Sequence, residues 1–107
     1  MANFEPALLE IVSKKLINDV VPSVDLLDLD YIEKRISDIK AAFPEPYFLH
    51  AAALKANSIR GVLKHVNKLG LGGECASISE VEHCISLGFP PEMVVFDSPC
   101  KTNVRNP

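Results

Sequence analysis

PYFLHAAALKANS, residues 46–58, is an almost unbroken apolar run that ends on a single amine, Lys55. With little polar alternation and one interruption at His50, it predicts a strand from Tyr47 to Leu54 covered on both faces. Ala56-Asn57-Ser58 follows at once, and Ser58 opens a helical pattern. The lysine therefore stands where a buried strand meets the loop before a helix. From there an amine can reach a cleft while the strand stays packed, and such an amine can form a Schiff base.

Beyond Ser58, Val62, Leu63, Val66 and Leu69 share one helical face, and Gly70 supplies a left-handed C-cap. A short strand spans about 72–76. Ser77-Ile78-Ser79-Glu80 is a capping box that begins a helix through Val81, Cys84, Ile85 and Leu87 to Gly88. Pro90-Pro91-Glu92 then turns the chain into Met93-Val94-Val95-Phe96, a further strand ending at Asp97. From residue 47 the order is β-α-β-α-β, with strands recurring at roughly 20 to 25 residues, as parallel βα units with right-handed connections require.

Toward the N-terminus, Leu9, Val12, Leu16 and Val20 fall at helical spacing over 5–19, with Pro22 as the stop. Val24-Asp25-Leu26-Leu27 reads as a short strand. Asp30, with Glu33 three residues on, predicts the start of a second helix with the stripe Ile32, Ile36 and Ile39, broken by Pro44 and Pro46.

Parallel units of this kind build an open doubly wound sheet or part of a (β/α) barrel. Both gather functional groups at the C-terminal strand ends. Here those ends are Lys55 to Asn57, Glu74 to Ser77, and Asp97 to Lys101. Composition narrows the function: 107 residues make one domain at most, and 48% hydrophobic content with a net charge of −3 describes a soluble chain, not a basic nucleic-acid binder. No apolar run approaches the roughly 18 residues of a membrane span, and the first residues show no signal or transit pattern, so the expected address is cytoplasmic.

Several other residues have plain structural readings. Cys75, Cys84 and Cys100 are too few and too widely spaced for a disulfide framework or a metal site, and are expected to be reduced, structural thiols. Gly70, Gly72 and Gly73 fit neither GxGxxG nor GxxxxGK and read as a C-cap and the start of a strand. His65 and His83 read as surface residues of helices, and His50 as a satisfied interior or barrel-wall histidine.

The ordered set Ala53-Leu54-Lys55-Ala56-Asn57-Ser58, Gly70-Leu71-Gly72 with Glu74-Cys75-Ala76-Ser77-Ile78-Ser79-Glu80, and Gly88-Phe89-Pro90-Pro91-Glu92 with Val95-Phe96-Asp97-Ser98-Pro99-Cys100-Lys101-Thr102 resembles the pyridoxal-phosphate-dependent ornithine/diaminopimelate/arginine decarboxylases. The resemblance covers about residues 22–102. It implies an α/β fold, the first parallel βα units of an alanine-racemase-like, fold-type III (β/α) TIM-type barrel. The expected division is an N-terminal helical segment, 1–22, and a truncated pyridoxal-phosphate-binding barrel, 23–107.

The resemblance also implies the chemistry. Lys55 matches the lysine that forms the internal aldimine with pyridoxal 5'-phosphate. Ala53 matches a small residue under the cofactor ring. Glu74 matches an acidic position near the cofactor, although a carboxylate there also simply favours a helix N-terminus. The family takes small amino-acid substrates and is usually homodimeric. Alanine racemases share the fold, but they continue from the lysine motif into Ala-Tyr-Gly-His-Gly, whereas Ser58-Ile59-Arg60-Gly61 stands here. The family's glycine-rich phosphate loop, ring-stacking histidine, acidic partner of the pyridinium nitrogen and substrate-binding residues come from later in a longer chain. The chain is therefore expected to be an N-terminal fragment. It is either the lysine-bearing part of a decarboxylase or an inactive truncated paralogue that at most associates with a full-length relative.

Overall fold

The computed structural model describes residues 4–99 and 101. The elements run α1 (Glu5–Ser13), α2 (Leu29–Ala42), β1 (Ala51–Ala53), α3 (Arg60–Lys68), β2 (Gly72–Cys75), α4 (Ile78–Ser86), a 3-10 turn (Pro91–Met93) and β3 (Val94–Phe96). Two compact units divide between Arg35 and Ile36.

In the second unit the three strands form one parallel sheet, ordered β1-β2-β3. Ala53 is opposite Glu74, and Glu74 is opposite Val95. The expected β-α-β-α-β order is present. Its core lies on one side of the sheet, where Leu54, Leu63, Val66, Cys75, Cys84, Leu87 and Phe89 are buried. Gly73 makes that packing possible, because an added Cβ would sit 2.3 Å from Cys84 Sγ. The sulfur of α4 thus occupies the space that a side chain on β2 would fill.

The turn chemistry follows the sequence closely. Gly70 and Gly88 adopt φ of 83° and 87° and close α3 and α4. Lys40 Nζ donates to the Leu69 carbonyl at the end of α3, a cation placed at a helix C-terminus. Ser77 Oγ accepts from Glu80 N–H at 3.2 Å, and Glu80 Oε2 accepts from Ala76 N–H at 2.6 Å. The capping box forms, with the carboxylate reaching one residue before the cap.

Four expectations change. The strand expected over 47–54 keeps only Ala51–Ala53, because ladder partners on β2 begin at Gly72. Tyr47 is 76% exposed, and its neighbours form an aromatic cluster in which the Phe43 and Phe48 rings meet edge to face at 5.5 Å. The segment was apolar for that cluster, not for a sheet. Val24 to Leu27 form no strand: this stretch is irregular and pairs with no strand among the described residues.

The first helix ends at Ser13 and not near Pro22. Lys15 takes φ of 52°, and Asn18 Oδ1 accepts from both Val20 N–H and Val21 N–H at 2.9 Å. That local capture outcompetes further helix. The stripe Leu9, Val12, Leu16 and Val20 is exposed, and Ile11 is the buried residue of α1. Asp28 replaces Asp30 as the cap of α2, its Oδ1 accepting from Tyr31 N–H at 2.9 Å.

Candidate functional site

The site is built from strand ends. Gly73 and Cys75 look toward α4, as shown by the closeness of Cys84 Sγ to the Gly73 Cβ position and to Cys75 Sγ at 3.7 Å. Alternation along a strand then turns Gly72 and Glu74 to the opposite face. Ladder pairing puts Ala51, Ala53 and Val95 on that same face, each half-buried or exposed. The ladder runs past the strands as well: Leu54 N–H donates to Glu74 O at 3.0 Å and Asp97 N–H to Cys75 O at 2.9 Å.

Of the three residues singled out in the sequence, Ala53 and Glu74 are therefore cross-strand neighbours on the open face. Lys55 lies two residues beyond Ala53, exposed, in the turn that follows β1. Leu54 between them is fully buried. Lys101 Nζ lies 5.7 Å from the Phe96 ring centroid at the third strand end, and Cys100 and Thr102 fall outside the described residues.

The loop after Lys55 is held by its backbone. Ala56 N–H donates to Ala53 O at 3.1 Å, and Ile59 N–H to Asn57 Oδ1 at 3.0 Å. The Ser58 carbonyl accepts from Nε2 of His83 on α4 at 3.0 Å. His83 was expected on the surface; it is half-buried and bonded. His65 was expected there too, but it is half-buried and its Nε2 is enclosed with no hydrogen-bond partner among the described residues. His50 is half-buried, and its Nε2 donates to Phe43 O at 3.2 Å. The sequence carries no signal for the His83 contact, whose partners are 25 residues apart.

An open hollow of about 520 Å³ is lined by Ser58, Ser77, Ser79, Glu80 and His83. Lys55 and Glu74 lie outside its lining. Among the described residues no cluster of three or more His, Cys, Asp or Glu is placed to hold a metal ion, and no helix is long and apolar enough to cross a membrane.

Cys75 and Cys84 are buried free thiols that serve packing. Burial pushes Cys75 up to about 12, with further contributions from the Cys84 hydrogen bond and from Glu80 and Glu74, and burial likewise raises Cys84. The reactive thiolate is withheld. Iodoacetamide at neutral pH is expected to modify neither residue in the folded chain and both in denaturant, read by peptide mass. The unfolded thiols ionise near 8.5 while the folded ones keep their protons, so stability is fully present below that pH and falls above it, toward about 12 for Cys75.

Comparison with known proteins bears on the family and the fold. The pyridoxal-dependent decarboxylase family, in its pyridoxal binding domain, matches residues 29–105. Antizyme inhibitor 2 of Xenopus laevis is 34% identical over 96 residues, covering 82% of this chain and 20% of that protein. A chloroplastic ornithine decarboxylase of Nicotiana glauca is 31% identical over 96 residues, covering 88% of this chain and 21% of that protein. The chain thus spans about one fifth of the length of these relatives. The crystal structure of ornithine decarboxylase from Entamoeba histolytica superposes with a TM-score of 0.71 and 26% identity, over 92% of this chain and 29% of that one. The parallel βα units are accordingly a partial TIM-type barrel, and the chain belongs to the pyridoxal-dependent decarboxylase family, within its pyridoxal-binding domain.

Proposed function

We propose that Lys55 is the amine by which this chain anchors pyridoxal phosphate, as the lysine-bearing part of an amino-acid decarboxylase of the ornithine/diaminopimelate/arginine type. The observation that carries this is the position of Lys55: an exposed amine at the C-terminal end of β1, inside the stretch that matches the pyridoxal-binding domain. The residues present fit the group. Ala51 and Ala53 are small residues on the open face, and Glu74 stands in the same row as Ala53. When bound, the cofactor supplies the electron sink that decarboxylation of an amino acid needs.

The chain's own residues have limited tasks in this reading. Lys55 would hold the cofactor through its Nζ. Ala53 keeps the face flat. Glu74 sets a negative charge beside the ring. Phosphate capture and substrate choice call for further parts of a barrel, since a closed one takes about 250 residues. The small amino-acid substrate, the homodimer and the cytosolic address remain parts of this proposal.

A second reading, that the chain is a non-catalytic paralogue acting by association, draws on its similarity to a protein named for inhibition and not for decarboxylation. Adding pyridoxal phosphate to the purified chain separates cofactor binding from its absence. The proposal expects a new visible absorbance band that is lost, by at least about tenfold in amplitude, in Lys55→Ala. No band, or one that persists equally in Lys55→Ala, contradicts cofactor binding by this chain and leaves association as its role.

A further inference from the structure

The loop from Leu54 to Ile59 carries Lys55 from β1 to α3: Leu54 is fully buried, but beyond it Lys55, Ala56, Ser58 and Ile59 are all exposed. Its ends are held by Leu54 N–H to Glu74 O and by Leu63 N–H to Ile59 O, and three more hydrogen bonds hold the stretch between. Two are local, Ala56 N–H to Ala53 O and Ile59 N–H to Asn57 Oδ1. The third, from His83 Nε2 to Ser58 O, is the one of these three that ties the loop to another element. A carbonyl oxygen only accepts, so His83 carries a proton on Nε2.

We propose that His83 is a positioning residue for Lys55: its Nε2–H pins the Ser58 carbonyl, and with it the lysine-bearing loop, onto the last turn of α4. α4 is itself fixed, since Cys84, the residue after His83, is fully buried against β2. The bond therefore transmits the rigidity of the packed sheet layer to the middle of a loop otherwise tied to other elements at its ends, by Leu54 N–H to Glu74 O on β2 and by Leu63 N–H of α3 to Ile59 O. A group that must meet a cofactor aldehyde gains from such restraint, because small misplacements of a reacting group are costly. His83 touches neither the cofactor nor Lys55 in this scheme. The inference rests on the reading of Lys55 as the cofactor anchor.

The test uses the whole chain with His83→Leu, which removes the donor, and His83→Gln, which can still donate. Amide hydrogen exchange is followed at Ala56 and Ile59, and at Gly72 and Asp97 as sheet references. Loss of one hydrogen bond is expected to speed exchange at Ala56 and Ile59 about five- to tenfold in His83→Leu, with little change at Gly72 and Asp97 and with His83→Gln close to wild type.

Unchanged loop exchange in His83→Leu overturns the proposal. So does an equal rise at all four amides, or loss of the helical circular dichroism signal, since either shows that His83 supports the fold at large. Exchange in His83→Gln as fast as in His83→Leu does the same. A second arm measures how fast pyridoxal phosphate modifies Lys55, expected to slow by a similar factor in His83→Leu and to recover in His83→Gln. If Lys55 of the wild-type chain is modified no faster than its other lysines, the cofactor reading fails while the exchange result still decides the tether. If Lys55 reacts equally fast in wild type and His83→Leu, the positioning role fails and the cofactor reading stands.

Discussion

Gly72→Ala is expected to destabilise the chain by about 3 kcal/mol, the upper end of the usual cost of overpacking. A Cβ at this position would lie 2.2 Å from the Met93 carbonyl oxygen, and 3.3 Å from Leu49 Cδ1. The side chain of Leu49 can move, but the Met93 carbonyl belongs to the backbone leading into β3. Relief requires β2 and β3 to part at the start of their ladder, where Gly73 pairs with Val94. It also strains the bond from Gly72 N–H to His50 O, 2.8 Å, which joins β2 to β1. Gly61→Ala is the control, because nothing lies within 4 Å of its Cβ position and it sits in α3. There the lost backbone freedom of the unfolded chain is expected to give about 0.5–1 kcal/mol of added stability. Urea midpoints of the two variants are expected to move in opposite directions. Equal shifts would contradict the packing of the sheet.

Concentration-dependent self-association of the isolated chain is the second large effect expected. The sheet order leaves one side of β1 and one side of β3 without a ladder partner among the described residues. Unpaired edges invite pairing with another chain. On the face carrying Ala51, Ala53 and Val95, Val95 is exposed, and Phe43, Tyr47 and Phe48 are exposed elsewhere on the surface. Sedimentation is expected to show the mean mass rising with concentration. Val95→Lys places a charge on the open face, and burying it unpaired is costly, so it is expected to weaken association about tenfold. A monomer with a sharp thermal transition that does not depend on concentration would contradict this account of the open face.

Much of the fold was legible because its signals are local. Gly70, Gly88 and the Ser77–Glu80 box act within a single turn, and the sequence alone shows them. The alternation of strands and helices from β1 to β3 was legible for a related reason, since apolar runs of different period follow one another at regular spacing. The misreadings have the opposite cause. Tyr47 to Leu49 look like a strand in isolation, but a strand exists only where a neighbour offers a ladder, and β2 begins too late to pair with them. Asn18 and Asp28 each capture backbone N–H groups that the periodicity had assigned elsewhere.

The site divides in the same way. The lysine motif sets Lys55 at a strand end, and parallel register places Ala53 beside Glu74, so these positions follow from sequence plus topology. His83 does not, because its partner is a backbone carbonyl on a loop distant in sequence, and no residue pattern encodes a carbonyl. The buried pair Cys75 and Cys84 was foreseen as structural, although their contact across β2 and α4 was not.

The central claim is that Lys55 is the cofactor-anchoring amine of this chain. The most direct measurement incubates the chain with pyridoxal phosphate, reduces with borohydride and maps the modified lysine by peptide mass spectrometry. The expected result is modification concentrated at Lys55, well above that of the surface lysines Lys14, Lys15, Lys64 and Lys68. Modification spread evenly over those lysines, or absent from Lys55, would contradict it.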